Sequence, residues 1–377
     1  MRTVHYIAHY AALGDEDNYH CANAGILKMR YIKESIKKAG FNLNIFSVCT
    51  AKGDVFFKKG KKADLGNNEK VIYISSFPKP DILSKIFNRL WNKIRISSYF
   101  LFKIKKDDFV VLYHSFFLTK LISILKKIKN VKVIIEVEEI YSYADTKDSG
   151  SEKKEILSIK AMDKFITVNE SIAKSLEVSD NSIVCYGVID IPKRQIERFD
   201  DGFIHVVYAG AIEKRNSGAF TALEAAGYLP DNYVLHMLGS GFQEDINYLK
   251  NRINEINKTA GFEKIKYHGM LKGRELTDFL HKCNIGLSTY VLRDNFSNNS
   301  LPSKVTTYMC HELPVVIGYT KAFDDIEISK VWNYFYEFEP KSIAKAVTEV
   351  DINKDFSEVH KLLLKMDREL VKFFLNS

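Results

Sequence analysis

Asn298-Asn299-Ser300-Leu301-Pro302-Ser303-Lys304, then Val305 to Cys310, then Leu313-Pro314-Val315-Val316-Ile317, reads as a loop, a short helix and a buried strand. Pro302 suits the first turn of a helix, where its missing N–H would have no intrahelical partner. Val305, Tyr308 and Met309 fall at i, i+3 and i+4 and make one apolar face. Leu313 to Ile317 is a short β-branched run of the kind buried in a parallel sheet. The helix start is the chemically interesting end. Its first N–H groups lack helical acceptors, and the macrodipole puts partial positive charge there. Ser300, Ser303 and Lys304 add hydroxyls and a cation, which together make a phosphate-binding cradle. The plain alternative is an ordinary capped helix packed on a sheet.

At 377 residues the chain exceeds one ordinary core and fits two domains. An apolar fraction of 46% is ample for two globular cores. No apolar stretch reaches the roughly 18 residues of a membrane span. The opening Met1-Arg2-Thr3-Val4-His5-Tyr6 enters a strand-like run without a secretory layout. Cys21, Cys49, Cys185, Cys283 and Cys310 are scattered and form no C-x-x-C pair, so neither a zinc site nor a disulfide framework is indicated. A reducing cytoplasm is the simplest home. Net charge is +8 and uneven: residues 1–190 hold 31 Lys and Arg against 22 Asp and Glu. The first half therefore meets something anionic or carries a lysine-rich surface.

Strand-like and helix-like segments alternate along the first half. Thr3–Ala8, Phe41–Val48, Val71–Ser75, Phe109–Tyr113, Val131–Val137, Phe165–Val168 and Ile183–Tyr186 read as strands, and Ala24–Ala39 and Leu118–Ile128 as helices. Ala51–Lys70 is polar and reads as a loop. A second series begins after Pro192–Gly202: strands at Ile204–Tyr208, Tyr233–Leu238, Ile265–His268, Ile285–Ser288, Leu313–Ile317 and Phe335–Phe338, with helices including Phe220–Gly227 and Glu275–His281. This pitch means βαβ units and parallel sheets. The fold class is α/β, two doubly wound Rossmann-like domains facing each other across a cleft. The expected bounds are residues 1–190, a linker at 191–202, a second domain at 203–355 and a C-terminal helix at 356–377 packing back on the first domain. Ligands of such sheets sit outside the carboxyl ends of the strands.

Lys79–Lys106 departs from the pattern. Lys79, Lys85, Arg89, Lys93, Arg95, Lys103, Lys105 and Lys106 face only one acidic residue, Asp81. Ile82, Ile86, Leu90 and Ile94 repeat at helical spacing among them. That is the profile of a helix lying in an anionic membrane surface, and the bland counterpart is a core helix with solvated lysines. No recognisable nucleic-acid module accompanies the charge, so nucleic acid is not an expected partner.

Several groups have chemistry to offer. Lys214 and Arg215 follow the glycine turn at Gly210, where cations past a strand end can reach a diphosphate. Gly239 and Gly241 would let backbone approach a ligand closely. Tyr113-His114-Ser115 ends one strand, and Glu136, Glu138 and Glu139 end another. A carboxylate or imidazole here can act as a base on a hydroxyl or support positive charge on a sugar ring, whereas a cap or salt bridge is the bland role. Asp15-Glu16-Asp17 spells Asp-x-Asp, but it follows a loop rather than a hydrophobic strand, and no metal is expected. The turn after the first strand lacks Gly-x-Gly-x-x-Gly, which argues against a dehydrogenase.

Val207-Tyr208-Ala209-Gly210, Met237-Leu238-Gly239-Ser240-Gly241, Tyr267-His268-Gly269-Met270-Leu271, Leu301-Pro302-Ser303-Lys304 and Tyr308 to Ile317 resemble, in that order, the donor domain of GT-B glycosyltransferases. The nearest group is the bacterial type-four-like enzymes of capsule, exopolysaccharide and O-antigen assembly. The likeness covers Ile204 to Val347 well and the first half more loosely, through Glu138-Glu139-Ile140-Tyr141 and Cys185 to Asp190. The resemblance implies a donor site at Gly210, Lys214, Arg215, Gly239, Gly241, Gly269, Leu271, Tyr290, Asn299, Ser300, Leu301, Pro302, Ser303, Lys304 and Thr307. It implies catalytic roles for Glu138, Glu139 and His114, and acceptor contacts at Asn23, Gly25 and Tyr141. Glu138 falls where many relatives place a histidine. Relatives often carry glutamates where this chain has Asn299 and Thr307, and a glycine where it has Glu312-Leu313.

The resulting expectation is a metal-independent, cytoplasmic hexosyltransferase without cofactor, peripheral at the inner membrane. It would move a hexose from a UDP-sugar, such as UDP-galactose or UDP-glucose, to a lipid-linked saccharide in surface polysaccharide assembly. The alternatives are a nucleotide-sugar epimerase on the same fold and a non-catalytic partner that binds saccharide or membrane.

Overall fold

The computed structural model describes residues 2–21, 23–143, 149–193, 196–214, 218–289 and 301–377. The chain divides into two units, one of residues 1–186 and 366–377 and one of Gly187–Lys365.

The first unit runs β1 (Thr3–Ala8), α1 (Asn23–Lys38), β2 (Asn42–Ser47), β3 (Lys62–Gly66), β4 (Glu69–Tyr73), α2 (Ile82–Lys103), β5 (Phe109–Tyr113), α3 (Phe116–Ile128), β6 (Lys132–Val137), α4 (Ser149–Lys160), β7 (Lys164–Thr167), α5 (Glu170–Ser175) and β8 (Ser182–Val184). Its sheet has the order β3-β4-β2-β1-β5-β6-β7-β8. All neighbours are parallel except β3 with β4. The chain leaves β1 toward β2 on one side and returns to β5 on the other, which makes β1/β5 the topological switch point. The central strands are continuous apolar runs, such as Val110-Val111-Leu112 and Val133-Ile134-Ile135, because helices bury both their faces. In α1, Ile26, Met29, Ile32 and Ile36 recur every third or fourth residue and enter the core.

The second unit runs β9 (Ile204–Ala209), α6 (Gly218–Ala226), β10 (Tyr233–Leu238), α7 (Gln243–Ala260), β11 (Ile265–Gly269), α8 (Gly273–Leu280), β12 (Ile285–Ser288), α9 (Ser303–Cys310), β13 (Val315–Gly318), β14 (Trp332–Phe335), α10 (Pro340–Thr348) and the start of α11 (Ser357–Leu375). Its sheet is wholly parallel, in the order β11-β10-β9-β12-β13-β14, with the switch point at β9/β12. The end of α11 gives Leu370 and Phe374 to the first unit's core.

Several expectations need correcting. Residues 51–70 are not all loop: β3 forms an antiparallel hairpin with β4 around Asn67 and Asn68, both left-handed. The final strand lies at Trp332–Phe335, ahead of Phe335–Phe338. Pro302 is the residue before α9, not its first helical one. The expected linker, 191–202, has a described anchor on the second unit. Arg198 donates to the carbonyls of His281, His311 and Glu312, the last at 2.6 Å, and anchors the segment on the second unit.

Glu312 follows α9 with φ +55°, in the left-handed region where a side chain is strained. Glu312→Gly is expected to stabilise the protein by about 1 kcal/mol, read as a rise in thermal midpoint against the parent.

Candidate functional site

In the second unit the turns after β9 and β10 lie against each other. Gly210 N–H donates to the Leu238 carbonyl at 2.9 Å, and Ile212 N–H to the Ser240 carbonyl at 3.0 Å. Gly239 sits at φ +147°, and a Cβ there would come within 1.8 Å of the Gly210 oxygen. The contact of turn on turn therefore explains Gly239 without a ligand, and Gly241 is likewise crowded by the Ile212 carbonyl. Gly269, at φ +72°, accepts from Gly239 N–H at 2.8 Å, and Leu271 lies half-buried just before α8.

Helix α9 is stitched to the switch point by one hydroxyl. Tyr308 Oη accepts Ala209 N–H at 2.9 Å and donates to the Leu287 carbonyl at 3.3 Å, so it holds β9 and β12 together. One turn earlier on the same helix face comes Lys304. Its ammonium stands 4.2 Å over the Tyr208 ring, and a Cβ on Gly210 would lie 2.6 Å from it. Thus Gly210, at the carboxyl end of β9, is bare so that a cation can rest there. Among the described residues Lys304 has no carboxylate partner, and burial pushes its pKa down to about 8. No described side chain caps α9. Among the described residues, a cation without a counter-ion thus lies beside a helix N-terminus with no side-chain cap, an arrangement whose chemistry suits an anion.

The other residues expected here are placed as follows. Leu301 is buried, Pro302 half-buried and Ser303 exposed, while Thr307 donates to the Ser303 carbonyl at 3.4 Å. Lys214 is exposed, with its ammonium 4.4 Å over the Tyr248 ring of α7. Arg215, Tyr290, Asn299 and Ser300 lie outside the described residues.

In the first unit, Glu136 does not lie open at the end of its strand. It is wholly buried on β6, where Oε2 accepts from Tyr6 Oη at 2.5 Å. Burial, reinforced by Glu138, pushes its pKa up to about 8. Glu138 is partly exposed and pairs with Lys28 Nζ at 3.1 Å, and Lys28 also donates to the Cys185 carbonyl at 2.6 Å. Burial opposes the Lys28 charge, but its partners, Glu138 above all, outweigh that and keep the ammonium charged. Burial and then Glu138 raise the Glu139 carboxyl.

His114 is buried, and both its ring nitrogens are engaged, Nδ1 with Thr119 at 2.7 Å and Nε2 with Glu155 at 2.8 Å. Both nitrogens of the expected base are thus occupied within the fold. Glu155 also accepts the Tyr141 and Ser142 N–H groups, and the Tyr141 ring stacks on His114 at 5.2 Å with its own surface exposed. Gly25 faces the Tyr113 hydroxyl, 3.2 Å from where a Cβ would stand. The Asn23 side chain lies outside the described residues. Asp15 is bound to Lys61 at 2.7 Å. Among the described residues no three His, Cys, Asp or Glu side chains could share a metal ion.

Three solved structures share this arrangement of two parallel-sheet units. The chain aligns over 100% of its length, and 97% of the other's, with a UDP-forming α,α-trehalose-phosphate synthase from Burkholderia vietnamiensis, at 9% identity and TM-score 0.67. It aligns with the sucrose-phosphate synthase of Thermosynechococcus elongatus over 100% and 95%, at 15% identity and TM-score 0.63. It aligns with the apo lipopolysaccharide outer core galactosyltransferase WaaB over 99% and 98%, at 10% identity and TM-score 0.62. The fold is GT-B. No family model matches the chain, and no curated protein matches it by sequence.

Within this GT-B fold, sequence reading missed three residues that organise the candidate site. Tyr308 was legible only as part of an apolar face, although a tyrosine four residues after Lys304 already hinted at a buried hydroxyl needing partners. Tyr6 and Glu155 carry no local signal, because their partners are 130 and 41 residues away.

The lowered Lys304 pKa has a measurable sign. Between about pH 8 and the ordinary lysine value near 10.4, the unfolded chain binds the proton that the folded one has released, so stability rises with pH across that window. Urea denaturation at about pH 7.5, below that window, and at about pH 9.5, within it, is expected to show this gain in the parent and its loss in Lys304→Met.

Proposed function

We propose that this chain is a glycosyltransferase that moves a hexose from a nucleotide-diphosphate sugar, a UDP-sugar such as UDP-galactose or UDP-glucose, to a saccharide. The observation that carries the proposal is the Lys304 ammonium, half-buried without a carboxylate partner among the described residues, beside Gly210 at the start of α9. Support comes also from the fold, shared with a UDP-forming synthase and a galactosyltransferase. In the reaction the bond from the sugar's anomeric carbon to the diphosphate breaks, an acceptor oxygen bonds that carbon, and the acceptor hydroxyl gives up its proton. Lys304 and the amides of α9 meet the charge that develops on the leaving diphosphate, so no metal is required for that task. Arg215, Asn299 and Ser300 are assigned to the same anion, and Lys214 and Leu271 to the nucleotide's surroundings.

The first unit is the acceptor-binding one. Glu138, held by Lys28, is the group for the acceptor hydroxyl or for positive charge on the sugar ring, with Glu139 beside it. Tyr141, propped by His114 and Glu155, offers an aromatic face to a sugar. The acceptor is a lipid-linked saccharide of bacterial surface polysaccharide, such as O-antigen or capsule, met at the cytoplasmic face of the inner membrane. The basic first half supports that setting. Among the described residues no helix is long and apolar enough to cross a membrane.

A panel of UDP-sugars tests the proposal. UDP release that depends on added saccharide acceptor supports transfer, isomerised sugar without acceptor marks an epimerase, and no turnover marks a binder. Lys304→Ala is expected to cut donor turnover at least tenfold with the fold intact, since a charge-assisted phosphate contact contributes about 1.5–3 kcal/mol. In the parent, UDP affinity is expected to fall as pH rises above 8, the point at which the free Lys304 loses its charge. Turnover by Lys304→Ala near that of the parent would remove the role assigned to this side chain.

A further inference from the structure

Helix α2 obeys two opposite rules along its length. In its C-terminal half the apolar side chains Ile96, Tyr99 and Phe100 are buried, as in any surface helix. In its N-terminal half the polarity is reversed. Leu83, Ile86, Phe87, Leu90 and Ile94 form one stripe at helical spacing, and all are exposed, Leu83 by 63% and Leu90 by 55%. Uncharged polar side chains turn inward instead. Ser84 is buried, and Asn88 brackets the Phe77 backbone, accepting its N–H at 2.8 Å and donating to its carbonyl at 2.7 Å. Ser84 Oγ, Trp91 Nε1 and Asn92 Oδ1 are buried with no partner among the described residues. Folding alone does not favour hiding polar atoms while leaving five large apolar side chains in water.

A second segment extends the same apolar surface. Val55, Phe56 and Phe57, between β2 and β3, are about half exposed. Phe56 meets Phe77 at 5.3 Å and Phe87 of α2 at 5.8 Å between ring centres, so loop and helix form one aromatic ridge. Lys85, Arg89 and Lys93 run along one flank of the stripe at i, i+4 spacing, with Lys79 at its start. The single acidic residue of this stretch, Asp81, is used to cap α2 through Ser84 N–H at 2.7 Å.

We propose that the N-terminal half of α2 and the Val55–Phe57 ridge together insert into the headgroup layer of an anionic phospholipid surface. The apolar stripe takes the place of acyl-chain contacts, and the flanking cations meet phosphate headgroups. A second copy of the chain is the poorer occupant, because it would bring one basic flank against another. The inference deepens the membrane side of the proposed function and rests on that part alone, independent of the donor chemistry.

The test uses the full chain and sedimentation with vesicles, phosphatidylglycerol mixed with phosphatidylcholine against phosphatidylcholine alone. The parent is expected to bind the anionic vesicles more tightly. Combined Leu83→Ser, Ile86→Ser and Leu90→Ser is expected to weaken that binding at least about tenfold with the far-UV CD spectrum unchanged. Combined Lys85→Gln, Arg89→Gln and Lys93→Gln is expected to abolish the preference for anionic lipid. A parent that stays in solution, or a serine variant that binds as the parent does, overturns the proposal. So does a lipid-free dimer that the serine variant converts to monomer, since a second copy would then cover the stripe. UDP binding measured on the same samples reports on the donor site separately, so failure of either assay points to its own claim.

Discussion

A lysine ammonium resting on a backbone that has no side chain is the constraint around which the second unit is arranged. Lys304 needs the bare Cα of Gly210 beneath it and the Tyr208 ring to one side. The helix that carries it is held in place by the Tyr308 hydroxyl, which reaches both strands of the switch point. The cation is half-buried without a described counter-ion, so its charged form is disfavoured. Such a group is costly for folding and favourable for binding, which is the usual trade at a functional site.

The first unit solves the opposite problem. There the buried cation, Lys28, has a carboxylate partner, Glu138. Lys28 faces Glu138 and the Cys185 carbonyl, while Glu136 keeps its proton up to about pH 8 and receives the Tyr6 hydroxyl. The outcome is one partly exposed carboxylate, Glu138, held from below by a chain of buried partners. The His114–Glu155 pair does similar work for Tyr141, fixing an aromatic face at the carboxyl end of the same sheet. Each sheet thus places its distinctive chemistry outside the carboxyl ends of its strands, where a parallel α/β fold leaves room for it.

The helix α2 belongs to neither set of polar contacts. Its reversal from an ordinary amphipathic helix to one with apolar side chains outward occurs within a single element, between Ile94 and Ile96. The sequence periodicity of Ile82, Ile86, Leu90 and Ile94 is the same in either orientation, so only the burial of Ser84 and the hydrogen bonds of Asn88 to the Phe77 backbone tell which face the protein kept for itself.

By itself, the order of residues determined the doubly wound class and most strand positions, since β-branched runs and glycine stops are local signals. The strand Glu69–Tyr73 was read two residues late, and its hairpin partner Lys62–Gly66 escaped, because a polar, exposed edge strand has no apolar alternation to betray it. Lys304 and Gly210 were both legible as candidates, the one from a helix start and the other from a strand end. That they touch was not, for they are far apart in the chain and meet only where β9 and α9 pack. The same holds for Glu136: local pattern set it at the end of a strand, and the packed sheet decided that it is buried. Local pattern encodes which elements form. Which charges are buried, paired or left open depends on contacts between distant segments, and these exist only once the sheets are assembled.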